Sequence, residues 1–341
     1  MGTTIFIRFS SFGDVLLTLP ALYGVALKRG EERMVLVTRT RFAVYFSHLE
    51  GLEVFGVDLE GEHKGFRGML RLFRELNQRY DPDRIVDLHD VLRSRLLSLF
   101  FTLNGIMVFR IRKGRRQKRK YIRNKGGSPL PHTVDRYLEA MARAGFEPAA
   151  SPLPFLPAYQ RKPRAKFKDE SFKIGLAPFA RHPEKTWPVE RSLELAQTIS
   201  NQLDAELYIF GGLEDTEPSR AFEHIPGLHN LTAGQNPRAE LLSINDLDLM
   251  ISMDSANMHL ASLLGVPTIS IWGATHPDLG FRPYNQPPDH QIEAPEGALK
   301  CRPCSVYGGK PCSLKSEPLK CLKLIEVEQV MQKVRLVLGI H

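Results

Sequence analysis

The chain has 341 residues, 43% of them hydrophobic and 25% charged, with a formal net charge of +8. At roughly 100 to 200 residues per domain this fits two globular domains, and the apolar content excludes a disordered or collagen-like chain. No run approaches the about 18 apolar residues of a membrane span. The opening MGTTIFIRFSSFGDV lacks the basic start and cleavage site of a secretory signal, so a cytoplasmic protein is expected.

In chain order, TTIFIRF reads as a buried strand, SSFGD as a tight turn, and VLLTLPALYGVALKRG as a helix closing on Gly30. MVLVTRT and LEVFGVDL are further strands, GMLRLFRELNQRY a helix, DRIVDLHD a strand and VLRSRLLSLFFTL a helix. Alternation of this kind implies a parallel sheet covered on both faces. The proline-rich stretch 147–166 reads as a linker. Beyond it FKIGLAP, AELYIFGG, LDLMISMD and VPTISIWGA are strands, with helices over VERSLELAQTISNQL, PRAELLSIN and MHLASLLG between them. An amphipathic helix, IEVEQVMQKVRLVLGI, ends the chain. The expected domains are 1–160 and 161–325, with 326–341 packing back on the body. Two such α/β units would face a cleft at the carboxyl ends of their strands, where open sheets take their ligands.

Charge divides with the domains. Residues 1–160 hold 26 Lys+Arg against 16 Asp+Glu, a net of +10, and the rest hold 20 against 22, a net of −2. The first half is therefore expected to meet something anionic. Residues 110–125 carry ten cations and no carboxylate, the pattern of a solvated basic loop or of an anion-binding one.

Four loops could carry chemistry. Gly13 and Asp14 lie between a strand and a helix, and Asp14 is either a helix cap or a carboxylate presented at the sheet edge. Asp254 closes a strand, while Ser255, Ala256 and Asn257 open a helix whose free N–H groups suit a phosphate. His259, in the first turns of that helix, is either a further donor or a packed histidine. Lys185, in APFARHPEKTWP, is a solvated lysine or a cation for a leaving phosphate, and Arg181 in the same loop could add a bidentate contact. Glu214, after the glycines of FGG, suits sugar hydroxyls. No G-x-G-x-x-G accompanies these loops.

Taken in order, SSFGDVLLTLPAL, DLHDVLRSRLLSL, APFARHPEKTWP, FGGLED and DSANMHLASLLGVPTISIWGATHP resemble the heptosyltransferases of glycosyltransferase family 9, over most of the chain. The resemblance implies a GT-B fold of two Rossmann-like domains with parallel sheets facing a central cleft. It also implies an inverting, metal-independent enzyme that moves heptose from ADP-heptose to the lipopolysaccharide inner core. On the matching positions it makes Asp14 the general base and Lys185 the ligand of the donor phosphate. Glu214 falls near the ribose, and Asp254, Ser255 and His259 form the donor-binding turn. Departures fall at Ala256, where many relatives have glycine, and at Ala180 and Arg181, where hydroxyl residues touch the donor, so the donor sugar is less fixed than the fold.

A lipid-borne, acidic acceptor gives the basic half a use. Arg67, Arg71 and Arg74 share a helix face, Arg93 and Arg95 begin another helix, and Arg115 and Arg116 lie in the basic run, which would hold the enzyme peripherally to the anionic inner membrane. HTVDRY, His132 to Tyr137, resembles a family segment without an assigned role. Cys301, Cys304, Cys312 and Cys321 run C-x2-C-x7-C-x8-C, either reduced thiols or a structural zinc site lacking its second close pair. No cofactor is expected to be required. Another nucleotide-sugar donor, a nucleic-acid-binding protein using 110–125, and a scaffold in which Asp14, Lys185 and His259 are replaceable are the competing readings. Nucleic acid is not expected as a partner, because it would leave the cleft loops unexplained.

Overall fold

The computed structural model describes residues 2–28, 30–147, 171–232 and 236–340. The expected linker at 147–166 and the boundary at 160/161 therefore lie almost wholly outside the described residues. The chain forms two compact units. The first runs to Lys113 and resumes at His132; the second takes in Gly114–Pro131 and everything from the sixth strand onward.

In the first unit β1 (Thr3–Ile7), β2 (Arg33–Arg39), β3 (Leu52–Val57), β4 (Arg84–Asp87) and β5 (Met107–Arg110) form one sheet in the order β3-β2-β1-β4-β5. All its pairings are parallel. The helices are α1 (Phe12–Leu16), α2 (Leu19–Ala26), α3 (Gly65–Tyr80), α4 (Leu92–Leu103) and, after the crossing segment, α6 (Thr133–Arg143); α5 (Arg115–Asn124) belongs to the second unit. Ile5, Ile7, Val35, Val37 and Ile85 alternate onto one face of the sheet, against Met69, Leu72 and Leu76 of α3 and Leu97 and Phe101 of α4. Each fully buried side chain of this kind contributes about 1.5–3 kcal/mol.

The helix expected over residues 15–30 is broken in two. Pro20 has no N–H to donate back one turn, so the chain stops at Leu16 and restarts at Leu19 with Pro20 at the helix start, where the missing donor costs nothing.

The second unit has β6 (Phe172–Ala177), β7 (Ala205–Ile209), β8 (Leu228–Asn230), β9 (Leu249–Met253), β10 (Thr268–Trp272) and β11 (Gln291–Glu293), ordered β11-β10-β9-β6-β7-β8. These pairings too are parallel. Helices α7 (Val189–Gln202), α8 (Thr216–Ser219), α9 (Pro237–Asn245), α10 (Ala256–Leu263), α11 (Lys320–Lys323) and α12 (Val327–Leu338) connect and cover it. The apolar face of α12, Val330, Met331 and Val334, is buried in this unit's core beside Leu195 and Ile199 of α7.

Each strand order reverses direction beside the first strand of its unit, between β1 and β4 and between β6 and β9. Open parallel sheets bind ligands at that switch point, beyond the strands' carboxyl ends.

The basic run is a helix, and it packs on the second unit although it precedes the linker. Lys118 lies with Nζ 3.9 Å from the Phe281 ring centre, a cation–π contact, and the Tyr121 hydroxyl donates to Asp278 Oδ2 at 3.1 Å. Lys125 Nζ donates to the Cys301 carbonyl at 3.0 Å, and the Leu130 N–H to the Asp278 carbonyl at 2.8 Å. The expectation that residues 1–160 form one domain carrying all this charge is corrected accordingly: tertiary contacts move the segment to the other unit.

Candidate functional site

At the switch point of the first sheet, the turn after β1 presents Asp14 in the first turn of α1. Arg8, at the end of β1, reaches it with Nη2 2.8 Å from Asp14 Oδ2, the Arg8 side chain being 5% exposed and that of Asp14 23%. The Ser11 hydroxyl donates to the same carboxylate at 2.8 Å, and Arg8 Nη1 to the Leu88 carbonyl at 2.7 Å. Asp14 is thus oriented by a nearly buried guanidinium, an arrangement that a helix cap does not need. HTVDRY supplies Tyr137, whose hydroxyl donates to the Asp14 carbonyl at 3.0 Å. His132 caps α6, accepting from Val134 N–H at 3.2 Å, so this segment braces the Asp14 turn.

On the far side of the switch point, β4 ends in Asp87, Leu88, His89 and Asp90. Asp87 Oδ1 accepts the N–H groups of His89 and Asp90 at 2.9 and 2.8 Å, and Ser94 donates to Oδ2 at 3.0 Å. Burial pushes the Asp87 carboxyl up. His89 is buried, its Nε2 3.5 Å from Ser10 Oγ. Burial first, and then the positive charge of Arg8, push its imidazole down to about 2, so the ring is neutral throughout the physiological range. Sequence reasoning passed over Arg8 and His89; the signal for His89 was its place directly after a strand at the switch, whereas nothing local distinguishes Arg8.

At the second sheet's switch point, the turn Pro183–Lys185 follows β6 and Asp254 follows β9. Lys185 Nζ lies 2.7 Å from Asp254 Oδ2, with side chains 14% and 8% exposed, and Thr275 Oγ1 donates to the same oxygen at 2.7 Å. Asp254 therefore orients the lysine, whose ammonium keeps two further N–H donors. Ser255 stands at the start of α10 without capping it, its hydroxyl 3.1 Å from that of Ser252. Ala256 and Asn257 are half-buried there, and His259 is buried one turn on. Glu214 is exposed in a short turn after β7 and folds back over Gly212. Arg181 is exposed.

The remaining basic residues divide. Arg67, Arg71 and Arg74 share the exposed face of α3, where Arg71 pairs with Glu62 at 3.3 Å, and Arg93 and Arg95 are exposed on α4, with Arg95 on Asp90 at 2.6 Å. Arg115 and Arg116 are exposed at the start of α5 in the second unit.

Among the described residues, one trio of ligand-type atoms lies mutually within 4.8 Å: Glu62, His63 and Glu75. His63 Nδ1 accepts the Asp58 N–H at 3.2 Å, so the ring's one proton sits on Nε2, directed at Glu75 Oε2 3.0 Å away. The nitrogen a metal would need is thereby occupied, and the trio reads as a hydrogen-bonded brace for α3. The four cysteines are free thiols, and burial pushes Cys321 up to about 11.

The model of glycosyltransferase family 9 (heptosyltransferase) matches residues 69–308. The chain belongs to glycosyltransferase family 9. Among sequence relatives of this family-9 chain, the lipopolysaccharide core heptosyltransferase OpsX of Haemophilus influenzae is 25% identical over 291 residues, 82% of this chain and 81% of that protein. Among solved structures, a family 9 glycosyltransferase of Veillonella parvula superposes with a TM-score of 0.75 at 20% identity, covering 99% of this chain and 97% of the other. The E. coli heptosyltransferase WaaC with ADP gives 0.67 at 18% identity, covering 98% and 99%. These likenesses establish the GT-B fold, and the family-9 chain is a glycosyltransferase.

Proposed function

We propose that the protein transfers heptose from ADP-heptose to the lipopolysaccharide inner core with inversion, Asp14 acting as general base. The observation that carries this reading is the Lys185–Asp254 pair beside the uncapped start of α10, at the switch point of the second sheet in a family 9 chain. A buried carboxylate that aims an ammonium supplies fixed positive charge where a departing diphosphate gathers negative charge, and the first N–H groups of α10 add dipoles of the same sign. In the first unit, Asp14 held by Arg8 and Ser11 takes the acceptor hydroxyl's proton as that oxygen attacks the anomeric carbon. Single displacement needs no covalent sugar–enzyme intermediate.

Supporting the donor are the match to the core heptosyltransferase OpsX and the E. coli relative WaaC solved with ADP. Ser255, Ala256 and His259 belong to the donor turn in this reading, with Arg181 on the phosphates, Glu214 near the ribose and Gly13 letting substrate approach the Asp14 turn. Arg67, Arg71, Arg93, Arg115 and Arg116 face the anionic acceptor, and the enzyme works at the cytoplasmic face of the inner membrane. No helix among the described residues is long and apolar enough to cross a membrane, so attachment in this reading is peripheral. Calorimetry and thermal shift with ADP, UDP, GDP and CMP, with magnesium or EDTA, test the donor: selective, EDTA-insensitive stabilisation by ADP is expected, and preference for another nucleotide refutes it.

A further inference from the structure

We infer that Thr275 is a positioning residue for the donor: with Gly273 and Ala274 it clamps Lys185 at both its backbone and its ammonium. The inference rests on the donor role proposed above for Lys185. A lysine ammonium sits on a flexible four-carbon stem, so where it stands depends on what holds it.

The clamp grips at two points. Thr275, 1% exposed, donates its hydroxyl to Asp254 Oδ2 at 2.7 Å, and Lys185 Nζ lies 2.7 Å from that same oxygen. Two charge-assisted contacts on one carboxylate oxygen fix where it points, and with it where the ammonium stands. At the other end, the Ala274 N–H donates at 3.1 Å to the carbonyl of Glu184, the residue before Lys185. Gly273 lies against the same carbonyl. A Cβ there would come within 2.6 Å of the oxygen, so any side chain at this position would push the two turns apart.

The clamp is itself fixed to the sheet. It leaves β10 directly after Trp272, which pairs with Glu293 of β11. Glu293 Oε2 holds the Arg302 guanidinium at 2.8 Å. Arg302 in turn donates from Nε to the Gly273 carbonyl at 2.7 Å and from Nη2 to the Thr275 carbonyl at 3.3 Å, so one side chain, 10% exposed, holds both carbonyls that flank Ala274. The rigid fork of a guanidinium can span such a pair of acceptors, whereas a lysine is a single point donor. A cation fixed in this way stands ready where the departing diphosphate gathers charge, with no reorganisation needed during the reaction.

The test uses the full chain: ADP affinity by calorimetry and steady-state transfer rates for Thr275→Val, Thr275→Ser and Arg302→Lys, each alone and combined with Lys185→Met. Thr275→Val keeps the shape of the side chain and removes the hydroxyl; it should weaken ADP binding and lower kcat/KM for the donor by about tenfold, with KM for the acceptor unchanged. Thr275→Ser should restore both, and Arg302→Lys should fall between the two. In the Lys185→Met background none of these changes should weaken ADP binding further, because the cation they position is gone. Leu195→Ala, a core truncation on α7, should destabilise the chain and leave ADP affinity unchanged. Unaltered ADP affinity and rate in Thr275→Val while Lys185→Met weakens both, or an equal further loss in the double variant, would overturn the clamp and leave the donor role standing. Unaltered ADP affinity in Lys185→Met would overturn the donor role and the clamp with it. If Lys185→Met does not fold, the contrast between Thr275→Val and Thr275→Ser still decides.

Discussion

Replacing Asp254 with Asn separates what the Lys185–Asp254 pair does for the fold from what it does for the ligand. The two side chains are 8% and 14% exposed and 2.7 Å apart. Removing one partner of a buried pair costs about 3–5 kcal/mol. Lys185, the more exposed of the two, can turn its ammonium toward water, which places Asp254→Asn at about 2–3 kcal/mol. Lys185→Met leaves the more buried carboxylate with only the Thr275 hydroxyl and should cost about 3 kcal/mol or more. The double variant carries no unpaired charge and should cost only about 1–2 kcal/mol, less than the sum of its parts. Urea titration followed by circular dichroism gives the stabilities, and calorimetry with ADP gives the affinities. Stability should recover in the double variant while ADP affinity stays as low as in Lys185→Met. If the two single effects add to within about 0.5 kcal/mol, the pair is not coupled in the folded chain and the reasoning fails.

Three further outcomes are expected. Asp14→Asn should lower the transfer rate by about 10²–10⁴-fold with ADP affinity unchanged, read from initial rates and calorimetry; a rate within threefold of the unaltered enzyme would remove the base assignment. His89 bears on pH dependence: its folded value of about 2 lies below the 6.5 of the free side chain, so between these values the unfolded chain binds the extra proton and stability falls as pH falls. From pH 6.5 to 5 that amounts to about 2 kcal/mol, and His89→Asn should flatten the slope in denaturation series across this range. On α5, Arg116, Arg119, Lys120 and Arg123 line the exposed side while Lys118 and Tyr121 are buried. Changing those four to Gln should weaken binding to anionic vesicles by about 1 kcal/mol per charge in a salt-dependent way; unchanged vesicle binding in flotation, or stronger loss of RNA than of vesicle binding, would count against a membrane role.

The two parallel sheets were legible because their central strands, such as TTIFI and LMISM, are continuous apolar runs separated by helices with turn signals between them. Short edge strands were not: Met107–Arg110 is half exposed and its sequence carries no alternation. α5 escaped because ten cations in sixteen positions mask its pattern, and what holds it is specific contact with Phe281, Asp278 and the Cys301 carbonyl rather than an apolar stripe. In the candidate site, Asp14 and Lys185 were found from their places after strands. Their partners were only half visible, for a reason of range: Arg8 and Asp14 are six positions apart, but Lys185 and Asp254 meet across the whole of β7 and β8. Asp254, expected in the donor-binding turn, accepts from Lys185 and Thr275, contacts that its sequence neighbours do not announce.

The most direct test of the account is transfer itself. Purified enzyme is given ADP-heptose and a heptose-deficient lipopolysaccharide core in EDTA, and the product is followed by mass spectrometry with its anomeric configuration read by NMR. The account requires addition of heptose with the configuration inverted relative to the donor, abolished in Asp14→Asn. No transfer from ADP-heptose, or a product that retains the donor's configuration, would contradict it.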